Sequence, residues 1–177
     1  MTWVATAGKL RYGRTMLTIR PAEPMDAALV YDLVRELAEY EKLAHEVTAT
    51  KADLAQALFA VQPRVFCDIA EWDGTPVGFA LWFYNFSTFR GSHGIYLEDL
   101  YVRPEHRGRG LGKALLAQLA ARCTRESLGR LDWAVLDWNA PSIAFYEGLG
   151  ATPQGDWTGY RLTGKALANL AGMVSSN

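Results

Sequence analysis

The sequence predicts an α/β (α+β) domain with a mixed, mostly antiparallel central sheet, one parallel β-α-β unit and flanking helices. Three observations predict it. Strand-like runs at Val65–Trp72, Val77–Phe86 and Ile95–Val102 follow one another closely, as a meander does. A glycine-rich turn, Arg107-Gly108-Arg109-Gly110-Leu111-Gly112, then opens a stretch of helical period. A further strand-like run, Leu131–Leu136, follows that stretch and completes a β-α-β crossing.

Taken in order, the elements read β-α-α-β-β-β-α-β-α-β. The first strand is Met16–Arg20, stopped by Pro21. Residues 1–15 carry Lys9, Arg11 and Arg14 and no acid, and read as a tail or as an over-long start before Met16. Pro24 and Asp26 start a helix with Leu29, Leu33, Leu37 and Tyr40 on one face. Its end is rich in acid, at Glu36, Glu39 and Glu41. Acids there oppose the helix dipole, so they are either solvated or placed to meet a cation. Thr50 and Asp53 form a capping-box pattern for a second helix, Lys51–Ala60. Asp73-Gly74 suits a hairpin turn between the next two strands. After Ile95–Val102, Pro104 ends the strand because it has no N–H for the ladder. Leu111, Leu115, Leu116, Leu119 and Cys123 mark the apolar face of the next helix. Pro141 lies near the start of a helix reaching Leu149, with Asp137 a possible cap. Trp157–Leu162 reads as a last strand, and Thr163 as the cap of a C-terminal helix. One domain over residues 16–172 is expected, with a short tail at 173–177.

Composition narrows the function. The chain has 177 residues, 50% of them apolar and 21% charged, as in an ordinary globule. Its 18 Lys and Arg balance 19 Asp and Glu, so no overall field draws nucleic acid or an anionic membrane. No apolar run has the length of a membrane span. Cys67 and Cys123 are too few for a disulfide framework and read as reduced core residues, which fits a cytoplasmic protein. His45, His93 and His106 lack metal-ligand spacing, so no metal is expected.

The glycine-rich turn points main-chain amides and a helix N-terminus at one spot, which is how anions are bound. The dinucleotide fingerprint G-x-G-x-x-G fails, because after Gly110 and Gly112 the chain reads Lys113, Ala114 and Leu115, with Leu115 where its last glycine would fall. The P-loop fails too, because Arg107 stands in place of its first glycine and Ala114 in place of its Ser or Thr. What fits is R-x-x-G-x-G, as Arg107, Gly110 and Gly112. This resembles the pyrophosphate loop of the GCN5-related N-acetyltransferases. Within them, Arg35–Leu43, Ile95–Val102, Ala134–Asn139, Ala144-Phe145-Tyr146 and Leu149–Ala151 resemble the diamine (spermidine/spermine) acetyltransferase group, most of all its thialysine-acetylating branch.

The resemblance covers about Leu17 to Leu170 and implies specific roles. The backbone of Leu100, Tyr101 and Val102 would pair with the pantetheine arm of acetyl-coenzyme A like an added strand. Arg107, Gly108, Arg109, Gly110, Leu111, Gly112 and Lys113 would hold its pyrophosphate, and Asn139 and Ser142 its amide arm. Tyr146 would be the general acid and Glu98 a base acting through water. Tyr40, Glu41 and Glu98 would contact the amine. A homodimer is also implied.

Those residue types suit the chemistry. An amine is cationic at neutral pH and must lose a proton before attacking a thioester, and a partly desolvated carboxylate such as Glu98 can take it. A phenol can protonate the leaving thiolate. No G-x-S-x-G or Cys–His signal demands a covalent enzyme intermediate. The expected activity is direct acetyl transfer to a small cationic amine: a diamine, a polyamine or a lysine analogue. Acetylation of a protein or peptide amine and a non-catalytic coenzyme A-binding module are the alternatives. Asp99 reads as structural or as facing a cation, and receives no role.

Overall fold

The computed structural model describes residues 8–12 and 15–174, with side chains from Met16 onward. The chain forms two compact units, Met1–Ala134 and Val135–Asn177.

The first unit is built on a six-stranded sheet in the order β1-β2-β3-β4-β5-β6. The strands are β1 (Gly8–Tyr12), β2 (Thr15–Pro21), β3 (Phe66–Trp72), β4 (Thr75–Ser87), β5 (Ser92–Val102) and β6 (Leu131–Trp133). All neighbours are antiparallel except β5 and β6, which run parallel. The expected mixed sheet with one parallel crossing is therefore present. Residues 8–12, read as part of a tail, instead pair with β2 as an edge strand. Strand β6 is shorter than the expected Leu131–Leu136 and pairs only with Ile95–Leu97.

Helices α1 (Ala27–Tyr40) and α2 (Lys51–Phe59) cover one face. Val30, Leu33 and Leu37 of α1 and Leu58 of α2 bury against Cys67, Ile69, Phe79, Leu81 and Tyr101. Helix α3 (Leu111–Arg125) packs against β4 and β5, burying Leu111, Leu115 and Leu119. Both cysteines are buried and unbridged.

Local chemistry explains the element ends. Asp73 and Gly74 adopt φ of 50° and 77°, as a tight hairpin turn requires, and the Met16 N–H donates to Asp73 Oδ1 at 2.8 Å. Thr50 and Asp53 exchange capping hydrogen bonds at the start of α2, a device worth about 1 kcal/mol. At the start of α1, Arg20 grips the buried Asp26 carboxylate through two bonds of 2.6 and 3.0 Å and Glu71 through one of 2.7 Å. The Arg20 guanidinium holds the Asp26 carboxyl below its usual range. This ties the entry of α1 to β2 and β3.

The second unit holds α4 (Ala140–Glu147) and α5 (Gly164–Gly172). The strand expected at Trp157–Leu162 does not form: the segment pairs with no strand among the described residues. Trp157 and Tyr160 stand 77% and 94% exposed. A strand-like composition is not enough when no neighbouring strand accepts its hydrogen bonds. Asn139 caps α4, its Oδ1 accepting the Ser142 N–H at 3.3 Å, so the cap is not Asp137.

Candidate functional site

The site grows from an irregularity in β5. The β4–β5 register pairs Leu81 with Asp99 but Trp82 with Leu97. Glu98 is the extra residue of a β-bulge. In a regular strand residues 97 and 99 would share a face. Across this bulge they oppose consecutive residues of β4, so Asp99 turns toward the α1 face with Leu81, while Glu98 is exposed.

The bulge also marks where β5 loses a neighbour. Residues 95–97 have β4 on one side and β6 on the other. From Glu98 to Val102 only β4 pairs with it, so this edge carries no strand among the described residues. An open strand edge of this kind can receive an extended ligand as an added strand.

The electrostatics differ from the sequence expectation. The desolvated carboxylate is Asp99, not Glu98. Burial, with help from the charges of Glu98 and Glu41, pushes the Asp99 carboxyl up to about 7. Burial also raises Glu41, at the end of α1. Glu41, Glu98 and Asp99 thus form one mutually repelling acidic group, which a cationic ligand would relieve. The sequence reading gave Asp99 no role, because no local signal announces the bulge that turns it to the α1 face.

The glycine-rich turn follows the open half of β5. Gly108 and Gly110 adopt φ of 73° and 83°, which suits glycine, and a Cβ at either would meet nothing within 4 Å. The first intrahelical bond of α3 runs from the Ala114 N–H to the Gly110 carbonyl at 2.9 Å. The amides of Leu111, Gly112 and Lys113 precede it and have no helical acceptor. Helices α2 and α4 have side-chain caps and α1 and α5 do not; the cap of α3 is a glycine, which has no side chain to fill the place. That open N-terminus fits a phosphate-bearing ligand.

Arg107 ties the parts together. Its Nε–H donates to the Val102 carbonyl at 2.8 Å. Its guanidinium lies 4.4 Å from the Tyr40 ring centroid and 5.5 Å from that of Tyr101. Arg107 thus braces the turn, the open half of β5 and the end of α1. Arg109 lies over the Trp72 ring at 5.3 Å. Behind them, Arg103 binds Glu36 through contacts of 2.7 and 3.0 Å, fixing α1 to the end of β5. One of the acids at the end of α1 therefore meets a cation, as the sequence allowed.

The first unit gathers Tyr40, Glu41, Glu98, Leu100, Tyr101, Val102 and the turn Arg107–Lys113 in this region. Asn139, Ser142 and Tyr146 lie on the second unit. There Asn139 is buried as the cap of α4, and Tyr146 is half-buried with its carbonyl accepting the N–H groups of Leu149 and Ala151.

Comparison with known proteins agrees with this layout. The family model for the acetyltransferase (GNAT) family matches residues 28–151. The bovine protein named thialysine N-epsilon-acetyltransferase is 37% identical over 165 residues, covering 87% of this chain and 96% of its own. An L-ornithine N5-acetyltransferase of Arabidopsis thaliana is 31% identical over 199 residues, covering 87% of each chain. Among solved structures, an integron cassette protein from the mobile metagenome of V. cholerae superposes with a TM-score of 0.73 at 28% identity, over 88% of this chain and 97% of its own. With a bulged strand edge leading into an uncapped helix and a family match across both units, the chain belongs to the GNAT acetyltransferase family.

Proposed function

We propose that the protein transfers an acetyl group from acetyl-coenzyme A directly to a primary amine of a small cationic substrate: a diamine, a polyamine or a lysine analogue. The observation that carries this is the junction of three features on β5: an open edge, an acidic group at the bulge and an uncapped helix N-terminus. The names of the relatives, which act on thialysine and ornithine, support an amine at the end of a short aliphatic chain.

Coenzyme A fits these residues. The main chain of Leu100–Val102 would hold the pantetheine arm, and the amides from Gly108 to Lys113 the pyrophosphate. The roles of Asn139 and Ser142 on the amide arm rest on the family resemblance. The bound thioester supplies the acyl group. The protein's own work is at the amine. Glu41, Glu98 and Asp99 attract the ammonium ion, with the Tyr40 ring beside them. Asp99, poised near neutral pH, takes the proton that the amine must lose, directly or through a water. The neighbouring charge of Glu98 helps to raise Asp99. This moves the base from Glu98, where the resemblance puts it, to its neighbour. Tyr146 of the second unit is the candidate acid for the leaving thiolate.

A screen of free amines and lysine-containing peptides with acetyl-coenzyme A, read by thiol release, tests the reading. Turnover of thialysine, ornithine or short diamines is expected. Turnover of peptides alone would replace it, and coenzyme A binding without turnover of any amine would reduce the protein to a binding module. The homodimer is a separate proposal, supported by the exposed Trp157, Tyr160, Leu170 and Met173, and sedimentation tests it. A cytoplasmic location is proposed on composition and on the reduced state of both cysteines.

A further inference from the structure

Away from the acetyl-transfer residues, the first unit has an open pocket of about 530 Å³. That volume lies within the range of small-molecule sites. It opens where β3 begins, between α2 and the last turn of α3. Phe59, Phe66, Trp82 and Tyr84 supply aromatic walls. Phe66 stacks on Trp82 with centroids 4.6 Å apart, and Tyr84 meets both edge-on. The walls are thus a packed, preformed set rather than loose side chains.

The polar lining is unusual. Arg122 is only 9% exposed, and its guanidinium lies 4.7 Å from the Trp82 ring centroid. Its Nε–H is buried without a hydrogen-bond partner, and so is Oε1 of Glu126 one helical turn away. The two side chains approach at 3.5 Å through Arg122 Nη1, and Arg125 reaches the same carboxylate oxygen at 3.6 Å. These are ion pairs too long to be good hydrogen bonds. The other groups are engaged: Tyr84 donates to Glu126 Oε2 at 2.6 Å, and the Trp82 indole N–H donates to the buried Asp68 at 2.9 Å. A buried donor and a buried acceptor left unsatisfied cost free energy unless a further group meets them.

We propose that this pocket is a second ligand site, for a small molecule with an aromatic or branched apolar body and a net-neutral head that both accepts and donates hydrogen bonds. The acceptor meets Arg122 and the donor meets Glu126. An α-amino acid zwitterion and a carboxamide share this chemistry. A simple anion would face Glu126 and Asp68, and a simple cation would face Arg122. The site is separate from the acidic group on the bulge and does not depend on the acetyl-transfer reading.

Calorimetry on the full chain, with four probes sharing a phenyl body, tests it: L-phenylalanine, phenylacetamide, phenylethylamine and phenylacetate. At least one net-neutral probe is expected to bind at one site per chain, ten-fold or more tighter than both charged ones. Ala22→Phe, which places a ring at the pocket wall, should abolish that binding. Glu126→Gln should weaken L-phenylalanine at least ten-fold and leave phenylacetamide within about three-fold, which separates the zwitterion from the amide. Acetyltransferase activity and the melting temperature report that each variant is folded. Should Ala22→Phe not fold, Arg122→Gln decides in its place: it removes the guanidinium that both net-neutral heads meet and should weaken whichever probe binds at least ten-fold. Absence of binding by both net-neutral probes, equal binding of a charged one, or binding indifferent to the variants would overturn the proposal.

Discussion

Along β5, residues 95–97 lie between two strands, while residues 98–102 lie beside only one. In the first half Ile95 is fully buried and Leu97 nearly so. The second half carries the bulge, the acids and the backbone edge that a ligand can use. One strand thus divides its labour at Glu98. The covered half stabilises the sheet, and the open half leaves hydrogen-bonding groups and a desolvated carboxylate for function. The bulge in the β4 pairing and the end of the β6 pairing fall at the same point of the strand, so one strand carries a covered half and an open half.

This contrast can be broken or sharpened by substitution. The largest effect is expected at Asp99. Asp99→Asn should lower kcat/KM by about 10²- to 10⁴-fold, as loss of a general base does, without unfolding the protein. If the variant keeps full activity, the open half does not hold the base there. Next, Ile95→Ala in the covered half should cost about 2–5 kcal/mol in denaturant unfolding while leaving kcat per folded molecule unchanged.

Asp99 should also behave oppositely to Ile95 in stability. Its carboxyl stands at about 7 when folded, above the ordinary 3.8. The folded state therefore holds a proton that the unfolded state releases, and stability falls as pH rises from about 4 to about 7. Asp99→Asn removes that penalty. It should be more stable than the parent by about 1–3 kcal/mol at pH 8, with little difference at pH 4. Equal stability of the two at both pH values would mean that the carboxyl is not desolvated.

Smaller effects follow at the neighbours. Glu98→Gln removes a charge that raises Asp99, so the ascending limb of the pH–kcat/KM profile should move to lower pH, by about one unit or less. Arg107→Lys loses the planar stack on Tyr40 and Tyr101, worth about 0.5–1 kcal/mol, so KM for acetyl-coenzyme A should rise by roughly two- to five-fold.

The sequence by itself determined the local features. Apolar spacing placed α1 and α3, and a capping box placed α2. Asp73-Gly74 and Thr50 with Asp53 specified a turn and a cap. The glycines at 108, 110 and 112 announced an uncapped helix start. Each of these depends on residues a few positions apart, so the linear string contains the cause. The tertiary structure alone decided the rest. The bulge at Glu98 exists only in the register between β4 and β5. The high basicity of Asp99 comes from burial and from Glu41, brought near from the distant end of α1. The segment Trp157–Leu162 has a strand's composition but no ladder, because a strand is made by its neighbour as much as by its own residues.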